Sequence, residues 1–476
     1  MEITSLIALI MKEIMKEILL TIVVIITIFT ACVQEEESVI ANQKDGLMNV
    51  MIKIPGEDQI YMATKAGPYE DGETIYVKIP TLEEDPLDVT ELKPTVSVQN
   101  NCFVIPALPN MVDFTEPYKI TVVNAFGEQK TNYIEVVPTP MRTVFKSLWF
   151  KSAQELGIVN SNISGMSVTK DYLIVRNGDE GIRIFDRNNV SYVKTLKAPY
   201  PTLNMSVNTD AGGNVIVNRY NMWGAGFRVF LYRDIKNLPD GALGEEILEY
   251  TPSGLVLGTK MTVTGNLSTG KAYIYATAEN DKNIYYWEFN DGVVKSKIPN
   301  VISYDNAGTN WTTALVKRKN IDDNSDLYVS YMHYDGGDSG TQAKGSRFEI
   351  LSTNDQIPMQ MEKNNHEYKI LGFETFEINN EEFLVMTTQA FWAWDGTFTR
   401  IFDITNREKI ELKPGETGYE DFFLMGSAIY GGVNYNRWGD VSVYVDNYDA
   451  YIYVSVAAME PDKAGVFAYR MIYTPQ

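Results

Sequence analysis

Tryptophan residues with carboxylate or amide neighbours are the residues of this sequence best suited to contact a ligand. Trp392 and Trp394 stand two positions apart, and Asp395 follows them. The apolar C–H face of a sugar ring packs on an indole plane, while its hydroxyl groups need polar partners nearby. The same combination recurs at Trp223 with Asn221, and at Trp311 with Asn310 and Asp305. These clusters indicate a surface suited to carbohydrate.

A repeated β pattern beyond residue 141 must position these side chains. An apolar strand recurs after a polar turn, and a second strand follows each copy. The copies are counted from Leu173, Val215, Tyr273, Tyr328, Leu384 and Tyr451. Repeats of this size without helical signals predict a six-bladed β-propeller, and a seventh blade stays open if residues 412–440 form an irregular one. The last repeat is one strand short, and Thr143–Leu148 is predicted to complete it and to join the first and last blades.

The order of strands within a blade separates the aromatic residues. Loops between second and third strands, and between one blade and the next, fall at one end and carry five of the seven Trp. Loops at the other end are short turns of small and polar residues. Trp149 and Trp287 are predicted to be strand residues. The predicted ligand-binding residues are Trp223, Trp311, Tyr334, Asp335, Trp392, Trp394, Asp395 and Trp438. The alternative is that each loop Trp caps the apolar layer between blades.

Charge and composition exclude several classes of partner and cofactor. The formal net charge of −21 repels nucleic acid and anionic lipid. Two His and two Cys leave little for a zinc site, so we predict no metal and no cofactor. Residues 322–326 are interpreted as a polar turn and not as a calcium loop. No catalytic residue is assigned. Carboxylates of the Trp-bearing end keep a hydrolase open, namely Asp335, Asp338, Asp395, Glu420 and Glu460. His333 with Tyr334 keeps a lyase open.

The N-terminus has the pattern of an export signal. Ile18–Thr30 is an uncharged run with the length of a signal-peptide core and too short to span a bilayer comfortably. Phe29-Thr-Ala-Cys32 resembles a bacterial lipobox, which implies removal of residues 1–31 and lipidation of Cys32. A short transmembrane anchor is the alternative. Glu35–Glu37 resemble the surface-export signal of Bacteroidetes lipoproteins, although a solvated linker would also be acidic. Residues 32–46 are predicted to be a tether.

Residues 47–140 show short alternating strands, which predict an immunoglobulin-like sandwich. A hairpin of residues 118–124 and 130–137 turns around Gly127. The stretch Asp113–Val122, with this turn, resembles the N-terminal Ig-like domain of unassigned function in Bacteroidetes outer-membrane lipoproteins. Cys102 is predicted to be a small core residue. Pro138-Thr-Pro140 marks the boundary, and residues 141–476 form the predicted propeller.

The whole organisation resembles that of glycan-binding lipoproteins that accompany starch-utilisation-type importers. This resemblance implies a protein of the outer membrane, held by its lipid and facing the cell exterior. It further implies capture of an oligosaccharide or polysaccharide for a neighbouring importer, without catalysis. Two other functions stay open: a propeller glycoside hydrolase or lyase acting on the same glycans, and an envelope scaffold for protein–protein interaction.

Overall fold

The prediction of an all-β fold is confirmed, since strands take 57% of the chain and helices 3%. The structure is a computed structural model. It describes residues 46–57, 60–81, 86–99, 101–140, 143–158, 163, 165–198, 204–221, 224–278, 281, 283–303, 315–334, 343–352, 359–361, 368–390, 396–427, 430 and 438–474. Contacts divide the chain into two units. The first comprises Met1–Pro55, Tyr61–Ile79 and Asp88–Val137, and the second comprises Gly56–Ile60, Pro80–Leu87 and Pro138–Gln476.

Two antiparallel sheets form the first unit. Their strands are β1 (Leu47–Lys53), β2 (Ile60–Met62), β3 (Thr74–Thr81), β4 (Lys93–Val98), β5 (Phe103–Val104), β6 (Tyr118–Val123) and β7 (Gln129–Pro140). One sheet has the order β2-β1-β4 and the other β3-β7-β6-β5. The hairpin β6–β7 turns through Gly127, whose φ of 80° favours glycine. Cys102 is only half-buried and precedes β5, so its prediction as a core residue is wrong.

Six further sheets, each antiparallel, follow within the described part of the second unit. The first three contain β9 (Met166–Val168), β10 (Tyr172–Arg176), β11 (Ile182–Asp186) and β12 (Tyr192–Leu196); β13 (Asn204–Thr209), β14 (Val215–Arg219), β15 (Phe227–Tyr232) and β16 (Glu245–Tyr250); and β17 (Leu257–Gly265), β18 (Lys271–Ala278), β19 (Asn283–Asn290), β20 (Val293–Val294) and β21 (Asn300–Ser303). In the third sheet β20 and β21 both pair with β19.

The remaining three sheets repeat this order. They contain β22 (Leu315–Arg318), β23 (Leu327–Tyr334), β24 (Ala343–Leu351) and β25 (Met359–Met361); β26 (Tyr368–Ile378), β27 (Glu381–Ala390), β28 (Thr397–Asp403) and β29 (Phe423–Gly426); and β30 (Val441–Asp446), β31 (Asp449–Val456), β32 (Gly465–Tyr473) and β8 (Thr143–Ser152). The segment expected to complete the last repeat therefore lies in β8, which pairs with β32 from Thr143 to Ser152.

The first strand of each sheet contacts the neighbouring sheets. We call β9, β13, β17, β22, β26 and β30 the inner strands. Contacts run from β9 to β13, β17 and β22 in turn, then from β23 and β24 to β26, and from β26 through β30 back to β9. We call the end at which the inner strands begin the leading end. Because the strands alternate in direction, second strands also end there and third strands begin there.

Apolar side chains fill the layers between adjacent sheets. Between the second and third sheets, Trp287 is 1% exposed and its ring stacks on Phe227 with centroids 5.1 Å apart. The indole N–H of Trp287 donates to the carbonyl of Lys297. Trp149 of β8 packs against Tyr453 of β31, with ring centroids 5.9 Å apart. Both Trp predicted to be strand residues thus serve sheet packing.

Residues 412–440 had been the place for an irregular seventh blade. The described residues of this segment contain a short helix, Tyr419–Phe422, and β29, which is the fourth strand of the fifth sheet. The helix connects the third and fourth strands of that sheet. Tyr419 and Glu420 therefore lie at the opposite end from the leading end, and their assignment to the Trp-bearing end was wrong. Within the described ranges no helix combines the length and the apolar character needed to cross a membrane.

Candidate functional site

Most residues predicted to bind ligand lie outside the described residues. These are Trp223, Trp311, Asp335, Trp392, Trp394 and Asp395, and the same holds for the lipidation site Cys32. The described strands beside them locate the chain. For example, β27 ends at Ala390 and β28 begins at Thr397, both at the leading end. The predicted binding segments thus connect to strands at that end.

Tyr334 is a strand residue. It ends β23 and pairs with Ala343 of β24, whereas the sequence had placed it in the connecting loop. A longer strand than expected accounts for the difference, since the β-branched and aromatic run Leu327–Tyr334 continues the ladder. The loop assignment of Tyr334 was therefore wrong.

Asn221 supports the fold and had been expected to serve as a polar partner of a bound sugar. Its side chain is 1% exposed. The amide NH₂ donates to the carbonyls of Pro252 (3.1 Å) and Leu255 (2.7 Å), and the amide oxygen accepts the N–H of Gly226 (2.8 Å). The side chain thus ties the connection after β14 to the one after β16, and its assignment to the ligand was wrong.

A polar cavity of about 270 Å³ lies among the inner strands. All six inner strands, or the residue directly before them, contribute to its wall. Side chains of neighbouring inner strands are cross-linked along it. Ser167 Oγ and Thr209 Oγ1 are 2.8 Å apart, and Asn208 Nδ2 donates to the carbonyl of Met261 at 3.0 Å. Polar groups that face a cavity inside a β fold are thereby satisfied within the protein.

Lys260 of β17 is the most buried cation of this cavity, at 6% exposure. Its ammonium group donates to the carbonyl oxygen of Gly439 at 2.6 Å. Burial lowers the pKa of Lys260, and the charge of Asp440 opposes that shift in part. Among the described residues Lys260 forms no ion pair with a carboxylate.

Asp440 directly precedes β30 and lines the same cavity. One carboxylate oxygen accepts the N–H of Met166 (2.9 Å) and the other accepts the N–H of Val441 (3.0 Å). Burial raises the pKa of Asp440, while the charge of Lys260 and these backbone donors oppose the shift. Trp438, which is half-buried, lies two residues before Asp440. It is the one predicted ligand tryptophan that the described part of the chain includes.

Lys317 and Glu374 add an ion pair to the cavity wall. Lys317 belongs to β22 and Glu374 to β26, so the pair joins the fourth and fifth sheets. Lys317 also donates to the carbonyl of Thr375 at 3.3 Å. Burial lowers the pKa of Lys317 to about 7, against the opposing charge of Glu382. The arrangement places ammonium and carboxylate groups side by side around a small polar space.

The opposite end carries aromatic residues as well. Arg187 stacks on Tyr444 and Tyr451, and Arg318 stacks on Tyr273 at 4.3 Å. Arg318 also donates to the carbonyls of the polar turn 322–326. The sequence had suggested that this end consists of small polar turns, so aromatic content alone does not distinguish the two ends. What distinguishes the leading end is tryptophan. Within the described ranges, no group of three or more His, Cys, Asp or Glu side chains is arranged to hold a metal ion.

The sequence gave no signal for the buried charges. Lys260 stands in the run Leu257–Val263, where a Lys among apolar residues ordinarily marks the solvent face of a strand. The inner strands are instead buried on both faces near Lys260. Asp440 follows Trp438 and Gly439 in what looks like a polar turn. Only the assembly of six sheets brings Lys260 and Asp440 to one cavity.

Two family matches cover most of the chain. Residues 149–460 match the domain of unknown function DUF8500, and residues 27–136 match the domain of unknown function DUF5018. Because the first match spans more than half of the 476 residues, the chain belongs to the DUF8500 family. A search of curated proteins finds no match.

Solved structures give distant likenesses only. Kuenenia stuttgartiensis hydrazine synthase is 12% identical, with a TM-score of 0.39 over 83% of this chain and 95% of that chain. The structure of BBS1N in complex with ARL6DN is 13% identical, with a TM-score of 0.34 over 74% of this chain and 84% of that chain. At these TM-scores neither likeness carries an argument about this chain.

Proposed function

We propose that this protein binds an oligosaccharide or polysaccharide at the leading end of a six-bladed β-propeller, without catalysis. The single observation that carries the proposal is the strand connectivity. It attaches every loop that contains Trp223, Trp311, Trp392, Trp394 or Trp438 to strands at one end of the second unit. The succession of inner-strand contacts, which returns from β30 to β9, supports a closed ring of six blades. The two sheets of the first unit support an Ig-like spacer.

Catalysis is left out of the proposal because the carboxylates of the cavity are engaged. Glu374 is paired with Lys317, and both oxygens of Asp440 accept backbone N–H groups. A glycosidase needs one carboxyl group to transfer a proton and a second to act as nucleophile or base, about 5–10 Å apart. Groups held by an ion pair and by backbone donors suit a binding surface better.

The proposal includes the location of the protein. Cys32 would carry the lipid and hold the chain in the outer membrane of a Bacteroidetes-type bacterium, facing the exterior. An importer complex in that membrane would be the partner, and nucleic acid would not be one. Radiolabelled palmitate should enter the wild-type chain but not a Cys32→Ala variant, and protease added to intact cells should cleave the protein. Equal labelling of the two proteins contradicts the anchor.

Binding of the full-length chain to an array of plant, host and microbial polysaccharides tests the function. A Trp392→Ala/Trp394→Ala variant should bind the selected polysaccharide about tenfold or more weakly, because two stacking surfaces are lost. Tyr448→Ala is the matched control, since Tyr448 is 49% exposed in the turn between β30 and β31 at the opposite end. It should bind like wild type.

Two results would redirect the proposal. Absence of binding to every glycan overturns it and favours a protein–protein scaffold. Shortening of a bound glycan during incubation favours an enzyme on the same polymers. Thermal unfolding of each variant must accompany the array, so that lost binding is separated from lost fold.

A further inference from the structure

The ammonium group of Lys260 has more hydrogen-bond donors than the described protein uses. It has three N–H donors, and one reaches the carbonyl of Gly439. The side chain is 94% removed from solvent, by its 6% exposure, and lines the cavity. A buried charge is costly unless it is paired or hydrogen-bonded. Two donors of Lys260 are therefore left for water or for a ligand within the cavity.

Asp440 supplies acceptors to the same space. A carboxylate has about four lone-pair sites. The N–H groups of Met166 and Val441 occupy one site on each oxygen. Each oxygen can accept one further hydrogen bond. A donor and an acceptor in one small cavity match neighbouring hydroxyl groups of a sugar, which accept from an ammonium and donate to a carboxylate.

The volume of the cavity limits the ligand to one ring. At about 270 Å³ it is smaller than the sites of about 300–1,000 Å³ that hold drug-sized molecules. Met166, Leu315 and Phe373 add apolar surface to the wall, on which the C–H face of a ring can pack. A glycan chain that reaches this space from the leading end can place only its terminal residue there.

The charge around the cavity favours a neutral sugar. Three carboxylates line it (Asp210, Glu374 and Asp440) against two ammonium groups, those of Lys260 and Lys317. The whole chain has a formal charge of −21. An acidic sugar would meet repulsion at long range and near the wall, whereas hydroxyl groups can use both signs of charge.

We propose that the cavity binds the terminal neutral pyranose of a glycan chain, with Lys260 donating to one hydroxyl group and Asp440 accepting from its neighbour. This inference rests on the glycan binding proposed above and adds a subsite to it. The protein would then recognise chain ends, while the tryptophan loops contact residues further along the chain.

Calorimetric titration of the full-length chain with glucose, galactose, mannose and xylose tests the subsite, with glucuronate as an acidic arm. At least one neutral sugar should bind. Lys260→Met keeps the length of the side chain and removes its donors, and it should weaken that binding about tenfold or more. Lys295→Met is the control, because Lys295 is exposed and paired with Glu288 on the outer part of the third sheet. It should leave the affinity unchanged.

A second measurement needs no variant and covers the case in which Lys260→Met fails to fold. If chain ends are bound, partial digestion of the polysaccharide selected by the array raises the apparent affinity at constant mass, in proportion to the ends created. An affinity that does not change with chain length overturns the subsite. So does the absence of binding for all four neutral sugars, or Lys260→Met with wild-type affinity. Tighter binding of glucuronate than of any neutral sugar replaces the proposal by an anion site.

The failures of the two proposals can be told apart. If the array is negative but a monosaccharide binds through Lys260, the glycan platform fails and the cavity stands. If the polysaccharide binds and depends on Trp392 and Trp394, but Lys260→Met changes nothing, the platform stands and the subsite fails.

Discussion

Lys260 Nζ donates a hydrogen bond of 2.6 Å to the carbonyl oxygen of Gly439, a residue 179 positions further along the chain. Lys260 belongs to the third sheet and Gly439 leads into the sixth, so the bond crosses the cavity between sheets that are not neighbours. Gly439 can lie there only because it has no side chain. A Cβ at this position would meet Cβ of Leu371 at 2.8 Å. The segment that contains Trp438 is thus held from two sides.

Lys260→Met should alter the dependence of stability on alkaline pH. Burial lowers the folded-state pKa of Lys260 below its ordinary value of 10.5. Between the lowered pKa and 10.5, the unfolded chain holds this proton and the folded chain does not, so the free energy of unfolding rises with pH. Below the lowered pKa the cost of burying the charge is constant. Wild type should therefore gain stability relative to Lys260→Met as pH rises towards 10.5.

Urea unfolding at intervals from neutral pH to pH 10 measures this difference. Lys295→Met is a control of opposite sign, because its partner Glu288 raises the pKa of Lys295. A raised lysine pKa gives stability that is lost as pH rises through the folded-state value. Parallel curves for wild type and Lys260→Met would show that burial does not shift this group.

Asn221→Ala should destabilise the second unit without any ligand present. The substitution leaves the carbonyls of Pro252 and Leu255 and the N–H of Gly226 without their partner. Each buried group that loses its hydrogen bond costs about 1–3 kcal/mol. We expect a total loss of about 2–4 kcal/mol in the free energy of unfolding, measured by urea denaturation. Asn188→Ala, at an exposed position, should change it by less than about 0.5 kcal/mol. A loss as small as that of Asn188→Ala would return Asn221 to the ligand surface.

Phe467→Ala should show how strongly β8 closes the sixth sheet. Phe467 is 6% exposed and stacks on Phe150 of β8, with ring centroids 4.5 Å apart. Truncating a buried Phe costs about 3–5 kcal/mol. In a double-mutant cycle with Phe150→Ala, the two residues should be coupled by about 0.5–1.5 kcal/mol, the range for aromatic pairs. Phe126→Ala, at a position 69% exposed in the first unit, is the control. Strict additivity would mean that β8 adds little through this contact.

The repeated strands could be predicted because their apolar residues are local signals. Runs such as Tyr172–Val175 and Phe383–Met386 are buried on both faces, and the structure places them in β10 and β27 as second strands. Turns with glycine at positive φ, such as Gly127, mark their ends. Such features depend only on neighbours in sequence, so a reader of the sequence can use them.

The cavity could not be predicted, because its chemistry depends on distant residues. Lys260 and Asp440 meet through the closure of the sheets, and nothing near either residue in sequence announces burial. Asn221 failed for the same reason. Its amide resembles a ligand contact in sequence, while its partners Pro252 and Leu255 lie more than 30 positions away. Glu420 failed because a short helix placed it on the other side of its sheet.

Trp438→Ala should separate ligand contact from packing at the leading end. Trp438 is half-buried and lies next to Gly439, so its indole has both an exposed part and a packed part. If the exposed part binds sugar, Trp438→Ala weakens binding of the selected polysaccharide about tenfold, while Trp438→Phe retains most of it because a ring face remains. Affinity electrophoresis gives the binding and thermal unfolding gives the stability. Wild-type affinity together with a loss of about 3 kcal/mol would identify Trp438 as a cap on the apolar layer between sheets, and the tryptophan surface would then lose its one described member.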